Sequence, residues 1–120
     1  FSMAADESGS IGNQGGWGAA QGPQGFFWGG TWICAAAGTD NADLVKDIML
    51  KMTTDDDIMK DIVVKDDDFV NNSTVMDGLA DGTIMGKDDK PYTSTILGGQ
   101  NPLPMYIAGV KTRFKQPFSL

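Results

Sequence analysis

Residues 42–65 have the sequence ADLVKDIMLKMTTDDDIMKDIVVK, in which apolar residues recur with a helical period. Leu44, Val45, Ile48, Met49 and Met52 recur at steps of three and four, so they share one face of a predicted helix. The residues at 39–41, Thr-Asp-Asn, are all favourable N-caps, and acidic residues near a helix start favour its dipole. This stretch therefore predicts an amphipathic helix that begins just after these caps.

Three further helices are predicted, the second and fourth by an apolar face and capping residues, and the third by its capping residues alone. The second begins at Thr54, where Thr-Asp-Asp-Asp fits a capping box, and ends near Lys65. The third is capped by Asn72 or Ser73 and ends at the Asp-Gly pair at 81–82. The fourth follows the cap-then-proline pair at 101–102. Its apolar face comprises Leu103, Tyr106, Ile107 and Val110.

Two apolar runs precede these helices. Residues 17–20 end at a Gly-Pro turn and predict a short strand. Residues 26–37 are interrupted only by Gly29, Gly30 and Thr31, which predicts a buried strand with a bulge or close backbone approach at its glycines. Residues 1–14 are rich in small polar residues and predict a loop or frayed end. Strands followed by helices predict one lobe of an α/β protein.

Charge and composition exclude several function classes. The formal net charge of -7, from 16 acidic and 9 basic residues, argues against nucleic acid as a partner. Cys34 is the single cysteine, so an internal disulfide is impossible. No apolar run approaches the ~20 residues of a membrane span. Because the chain begins at Phe1 without a basic-then-apolar leader, we expect an internal piece of a longer protein.

No catalytic or metal-binding motif is completed. The chain has no histidine, so its Ser, Thr and Cys residues lack the commonest activating base. The acidic clusters at 55–57, 66–68 and 88–89 lack the alternate acids, the glycine and the final Glu of an EF-hand. We therefore expect no enzyme activity, no metal and no cofactor.

Two indoles flank a Gly-Gly step in the run Trp28-Gly29-Gly30-Thr31-Trp32. Indoles offer flat apolar faces with one N–H donor, and glycines let the backbone approach a partner closely. A sugar ring needs this combination, because its C–H face packs on an aromatic ring while its hydroxyls require hydrogen bonds. The alternative is that each Trp anchors the core.

The order of these motifs resembles the extracellular solute-binding proteins of bacterial carbohydrate ABC transporters. The resemblance rests on WGAAQGP at 17–23, FFWGGTWI at 26–33 and GTDNADL at 38–44. TTD at 53–55, FVNN at 69–72 and LGGQNP at 97–102 extend it, so that it spans roughly residues 15 to 108. Members of that family bind a sugar between two α/β lobes and deliver it to a membrane permease.

The resemblance implies a fold, a place and partners for this chain. Residues 15–110 are expected to form a segment of a periplasmic-binding-protein-like two-lobe fold, mainly its helix-rich C-terminal lobe, with 111–120 as a tail. The expected ligand is a mono- or oligosaccharide, and the expected partners are the ABC permease subunits. The protein is expected to be extracellular or periplasmic, held at the membrane only by an anchor outside this sequence, as in a lipoprotein.

Candidate ligand-binding residues come from three places in the sequence. Trp28 is predicted to stack on the sugar, with Gly29 and Gly30 bringing main-chain groups to its hydroxyls. Trp32 is a further candidate, with core packing as its alternative. The remaining candidates are the amides Gln100, Asn101 and Asn71, since an amide can bridge two hydroxyls. Helix capping is the alternative for Asn101, and a loop is the alternative for Asn71.

Two alternative functions predict different features of the chain. A stand-alone carbohydrate-binding module of a secreted polysaccharide-degrading system predicts a β-sandwich, and a glycoside-processing enzyme predicts a pair of catalytic carboxylates.

A micromolar complex needs about 8 kcal/mol, far more than a few aromatic and amide contacts supply. We therefore expect the 120-residue chain alone to bind sugar in the millimolar range at best.

Overall fold

Four α-helices and one short 3-10 turn make up the regular structure of the described residues. The computed structural model describes residues 15–26 and 29–112. Helix α1 spans Ala42–Thr54, α2 spans Asp56–Asp66, α3 spans Ser73–Asp81 and α4 spans Leu103–Thr112, with the 3-10 turn at Lys87–Asp89 between α3 and α4. All four helices were predicted, three from an apolar period and the third from its capping residues, and these four predictions are confirmed.

The junction between α1 and α2 differs from its prediction by one residue. The hydroxyls of Thr53 and Thr54 donate to carbonyl oxygens in the preceding turn, at Met49 and Leu50, so α1 continues through Thr54. Asp55 is the N-cap of α2 instead, and its Oδ1 accepts from the Ile58 N–H at 3.0 Å. The capping box at Thr54 was therefore wrong, because three successive aspartates offered several equivalent starting points.

The caps of α3 agree with the sequence. Asn72 Oδ1 accepts from the Val75 N–H at 3.1 Å, which satisfies a free donor of the first turn. Gly82 ends the helix in the left-handed conformation with φ 83°, which glycine adopts without strain. Both ends of α3 follow from local residue types and are confirmed.

Neither predicted strand is present among the described residues. Residues 17–20, 26 and 29–37 carry no strand, and the single β-bridge in the described part of the chain joins Ser94 to Gln100. A strand needs hydrogen bonds from a neighbouring strand, and no described segment pairs with these runs. The two strand predictions are wrong over the described residues, whereas the two-lobe α/β fold stays a prediction.

The core lies between α2, α3, α4 and the segment that precedes α4. Its buried residues are Met59, Val63, Val70, Val75, Met76, Leu79, Tyr92 and Leu103. Helix α1 contributes no buried residue, although its apolar period is as clear as that of α2. The apolar side of α1 is consequently open to solvent and borders the candidate site.

No helix in the described ranges has the length and apolar character needed to cross a membrane.

Candidate functional site

An open groove runs between α1 and the extended segment that precedes it. Its volume is about 570 Å³, and its floor is mostly apolar, with Val45, Met49 and Leu50 from α1 and Ile33 from the segment. Residues 42, 46, 49, 50 and 53 line it because they recur at helical spacing along one side of α1. The groove thus lies between one side of α1 and the segment before it. Val45 and Met49 come from the apolar stripe of α1, whereas Leu44, Ile48 and Met52 do not line the groove.

Trp32 lines this groove and presents its indole to solvent. Its side chain is 81% exposed, so the alternative of core packing for this residue is wrong. An exposed indole at the edge of an apolar groove offers a flat surface for a ring-shaped ligand. Trp32 is therefore the candidate residue that the structure places best for stacking.

Gly29 and Gly30 shape the chain just before Trp32. Their φ angles are 137° and 123°, a backbone conformation that residues with a Cβ rarely adopt. A Cβ at either position would meet no atom within 4 Å, so conformation rather than close packing calls for glycine here. Both glycines are exposed and neither lines the groove. Trp28, the first choice for stacking, lies outside the described residues.

Asn71 reaches the groove from a different part of the chain. It lies near the end of the loop that joins α2 to α3. It lines the groove together with Trp32, and its side-chain amide makes no hydrogen bond to any described residue. The structure thus brings together Trp32 and Asn71, two candidates that are 39 positions apart in sequence.

Gln100 and Asn101 are engaged elsewhere. The Gln100 amide accepts from the Ala19 N–H and donates to the Ala19 carbonyl, both at 2.9 Å. The Asn101 amide donates to the Leu79 carbonyl and accepts from the Leu103 N–H, both at 3.0 Å. Neither residue lines the groove, and each amide already has two partners within the chain. Gln100 therefore fastens the segment at 15–26, and Asn101 caps α4.

Most residues that line the groove were missed by the sequence analysis, and Lys46 and Thr31 are two of them. Lys46 lines the groove because it lies one turn from Ala42, Met49 and Leu50 on α1, and its spacing alone would have placed it there. Thr31 lines the groove beside Trp32. No hydrogen bond or ion pair joins either side chain to the rest of the described chain.

A second polar cluster lies at the C-terminal end of α2, away from the groove. The Tyr92 hydroxyl donates to Asp67 at 2.6 Å, and the Ser94 hydroxyl donates to the other oxygen of that carboxylate at 2.9 Å. Burial raises the pKa of Tyr92 well above its ordinary value, and the hydrogen bond to Asp67 raises it further. Because every buried polar atom in this cluster has a partner, its role is to join α2 to the segment before α4.

Metal ligands do not converge within the described ranges, where no group of three Cys, Asp or Glu side chains could hold an ion.

The chain has no matching family model, and searches of curated proteins and of solved structures return no significant match.

Proposed function

We propose that this chain is part of an extracellular solute-binding protein that binds a mono- or oligosaccharide and delivers it to an ABC permease. The observation that carries the binding step is the exposed indole of Trp32 at the edge of an open, mostly apolar groove. The motifs at 17–44 and 97–102 support the class of protein. Delivery to the permease and location outside the cell rest on that resemblance alone.

The groove has the two kinds of surface that a sugar requires. Apolar side chains of α1 can pack against the C–H face of a pyranose that stacks on Trp32. The Asn71 amide and the Thr31 hydroxyl, which have no partner in the described chain, can exchange hydrogen bonds with sugar hydroxyls. Trp28, Gly29 and Gly30 stay candidates for further contacts from the same run.

The size of these contacts limits the affinity. Millimolar binding corresponds to about 4 kcal/mol, and an aromatic contact adds ~0.5–1.5 kcal/mol beyond its buried area. A groove open on one side leaves part of the sugar in water, so the second lobe of the proposed fold has to supply the remaining contacts.

The carbohydrate-binding module is not favoured by any described feature. It predicts many alternating strands, whereas the described residues form four α-helices and one isolated bridge.

Titration of the 120-residue chain with glucose, galactose, xylose, maltose and maltotriose, followed by NMR, tests the proposal. We expect millimolar dissociation constants for at least one of these sugars, and roughly tenfold weaker binding after Trp32→Ala. Trp32→Phe keeps a flat ring and is expected to retain part of the affinity.

Phe26→Ala is the matched control, because Phe26 is an aromatic residue that is 76% exposed and does not line the groove. It is expected to leave sugar binding unchanged. Absence of binding across the panel, or equal binding by the Trp32→Ala variant, would overturn the proposal. Micromolar affinity in this chain would contradict the limit set by the open groove.

A further inference from the structure

Among the described residues that line the groove, Lys46 is the charged one. The other lining residues are apolar or uncharged, and none is acidic. The chain as a whole has 16 acidic and only 9 basic residues, so a lining with a lysine and no acid differs from the average composition. The local charge of the groove is therefore opposite in sign to that of the whole chain.

The ammonium of Lys46 forms no ion pair or hydrogen bond with any residue in the described ranges. Asp43 and Asp47 are its nearest acids along α1, but neither lines the groove and neither forms an ion pair with it. Within the described ranges the ion pair that forms is Lys65 with Asp61. Lys46 is therefore the basic side chain that the described lining offers to a ligand.

We propose that the groove selects acidic saccharides, in which a sugar carboxylate pairs with Lys46 while the ring stacks on Trp32. This inference rests on the proposed function and names the class of sugar. One ammonium compensates one negative charge, which matches a uronic acid. A doubly charged phosphate would leave one of its charges without a partner in the groove.

The Asn71 amide and the Thr31 hydroxyl complete the recognition. Both line the groove and have no partner in the described chain, so their donors and acceptors are available to the hydroxyls of the same sugar. The carboxylate thus meets a charge, the hydroxyls meet neutral groups, and the C–H face meets the indole.

Matched pairs of ligands test the proposal directly. The 120-residue chain is titrated with glucose against glucuronate and with galactose against galacturonate, each pair differing only at the carboxylate. We expect the acid of each pair to bind about three- to fivefold more tightly at low salt, as for a partly exposed ion pair. High salt is expected to reduce this ratio towards one, because screening weakens exposed charge pairs.

Lys46→Gln is expected to remove the preference, because it keeps a polar side chain and deletes the charge. Lys51→Gln is the control, because Lys51 lies on the same helix and does not line the groove. The substitution makes the same chemical change outside the groove. It is expected to preserve the ratio of acid to neutral binding.

Each remaining outcome contradicts a specific step. Equal binding of glucose and glucuronate by the unaltered chain would overturn the inference and leave the proposed function standing. A preference that survives Lys46→Gln would also overturn the inference, because the charge would then act from another place. Absence of binding by all four sugars would overturn the inference, whereas the proposed function falls only if xylose, maltose and maltotriose also fail to bind.

Discussion

At the scale of single residues, Asp67 holds two buried hydroxyls in place. Tyr92 is 3% exposed and Ser94 is 2% exposed, and each donates to one oxygen of the Asp67 carboxylate. Asp67 itself lies in the left-handed region, with φ 52° and ψ 34°, directly after α2. One residue therefore ends the helix and fastens it to the segment that leads to α4.

We expect Asp67→Ala to lower the free energy of unfolding by about 2–4 kcal/mol, because it leaves two buried hydroxyls without an acceptor. Urea denaturation followed by circular dichroism measures the loss. Asp67→Asn is the matched control, since Asn tolerates the left-handed conformation and keeps one acceptor oxygen. It is expected to cost about half as much, and equal losses for the two variants would contradict this role.

Stability is expected to fall at high pH because of Tyr92. Burial and the Asp67 hydrogen bond raise the pKa of Tyr92 in the folded chain above its unfolded value of about 10. The contribution to stability is therefore complete below about pH 10 and is lost as the pH rises above it, at up to about 1.4 kcal/mol per pH unit. Denaturation of the Tyr92→Phe variant from pH 8 to 11 should show a shallower decline, and equal declines would contradict the assignment.

Residue types predicted the chemistry of the site better than its geometry. The amides of Gln100 and Asn101 do bridge two groups each, as expected of amides, but those groups are main-chain atoms at Ala19, Leu79 and Leu103. Nothing local in the sequence shows which distant carbonyl a side chain meets. In the same way, the sequence does not show that Asn71 and Trp32 line one groove, because their proximity depends on how distant segments pack.

At the scale of elements, α1 and α3 have similar amphipathic patterns and very different surroundings. Leu79 on α3 is fully buried, whereas Ile48 on α1 is 47% exposed. The helical period follows from each sequence, but burial depends on what else packs against the helix. Backbone hydrogen bonding explains why the helices were predicted correctly and the strands were not. A helix forms its hydrogen bonds within one segment, whereas a strand needs a neighbouring strand that local sequence does not specify.

Leu79→Ala and Ile48→Ala measure this difference between the helices. Leu79→Ala is expected to lower the free energy of unfolding by about 2–5 kcal/mol, because it leaves a cavity in the core. Ile48→Ala is expected to lower it by less than about 1 kcal/mol, as for an exposed position. A large loss for Ile48→Ala in urea denaturation would show that α1 is packed against the core, contrary to the structure.

Gly78 allows α3 to pack closely against Ile84. A Cβ at position 78 would lie 2.5 Å from both Cγ1 and Cδ1 of Ile84. We expect Gly78→Ala to destabilise the chain by about 1–3 kcal/mol, although alanine is the better helix former. In an Ile84→Ala background the same change is expected to be neutral or favourable. A double-mutant cycle by urea denaturation measures the coupling, and simple additivity would contradict the proposed contact.

At the scale of the whole molecule, the buried core and the open groove are separate. The core holds α2, α3 and α4 together, while the groove lies on α1, which contributes no buried residue. Substitutions in the groove are therefore expected to change binding with little effect on stability. In the proposed two-lobe fold, the second lobe covers the open side of the groove and raises the affinity by excluding water.

The central claim is that a saccharide binds against the indole of Trp32. The most direct measurement is the indole N–H signal of Trp32 in a ¹⁵N–¹H correlation spectrum, identified by its loss in the Trp32→Ala variant, during titration with glucose and glucuronate. We predict a progressive shift of this signal with a millimolar midpoint, while the Trp17 indole, which does not line the groove, stays in place. An unchanged Trp32 signal at saturating concentrations of both sugars would contradict the account.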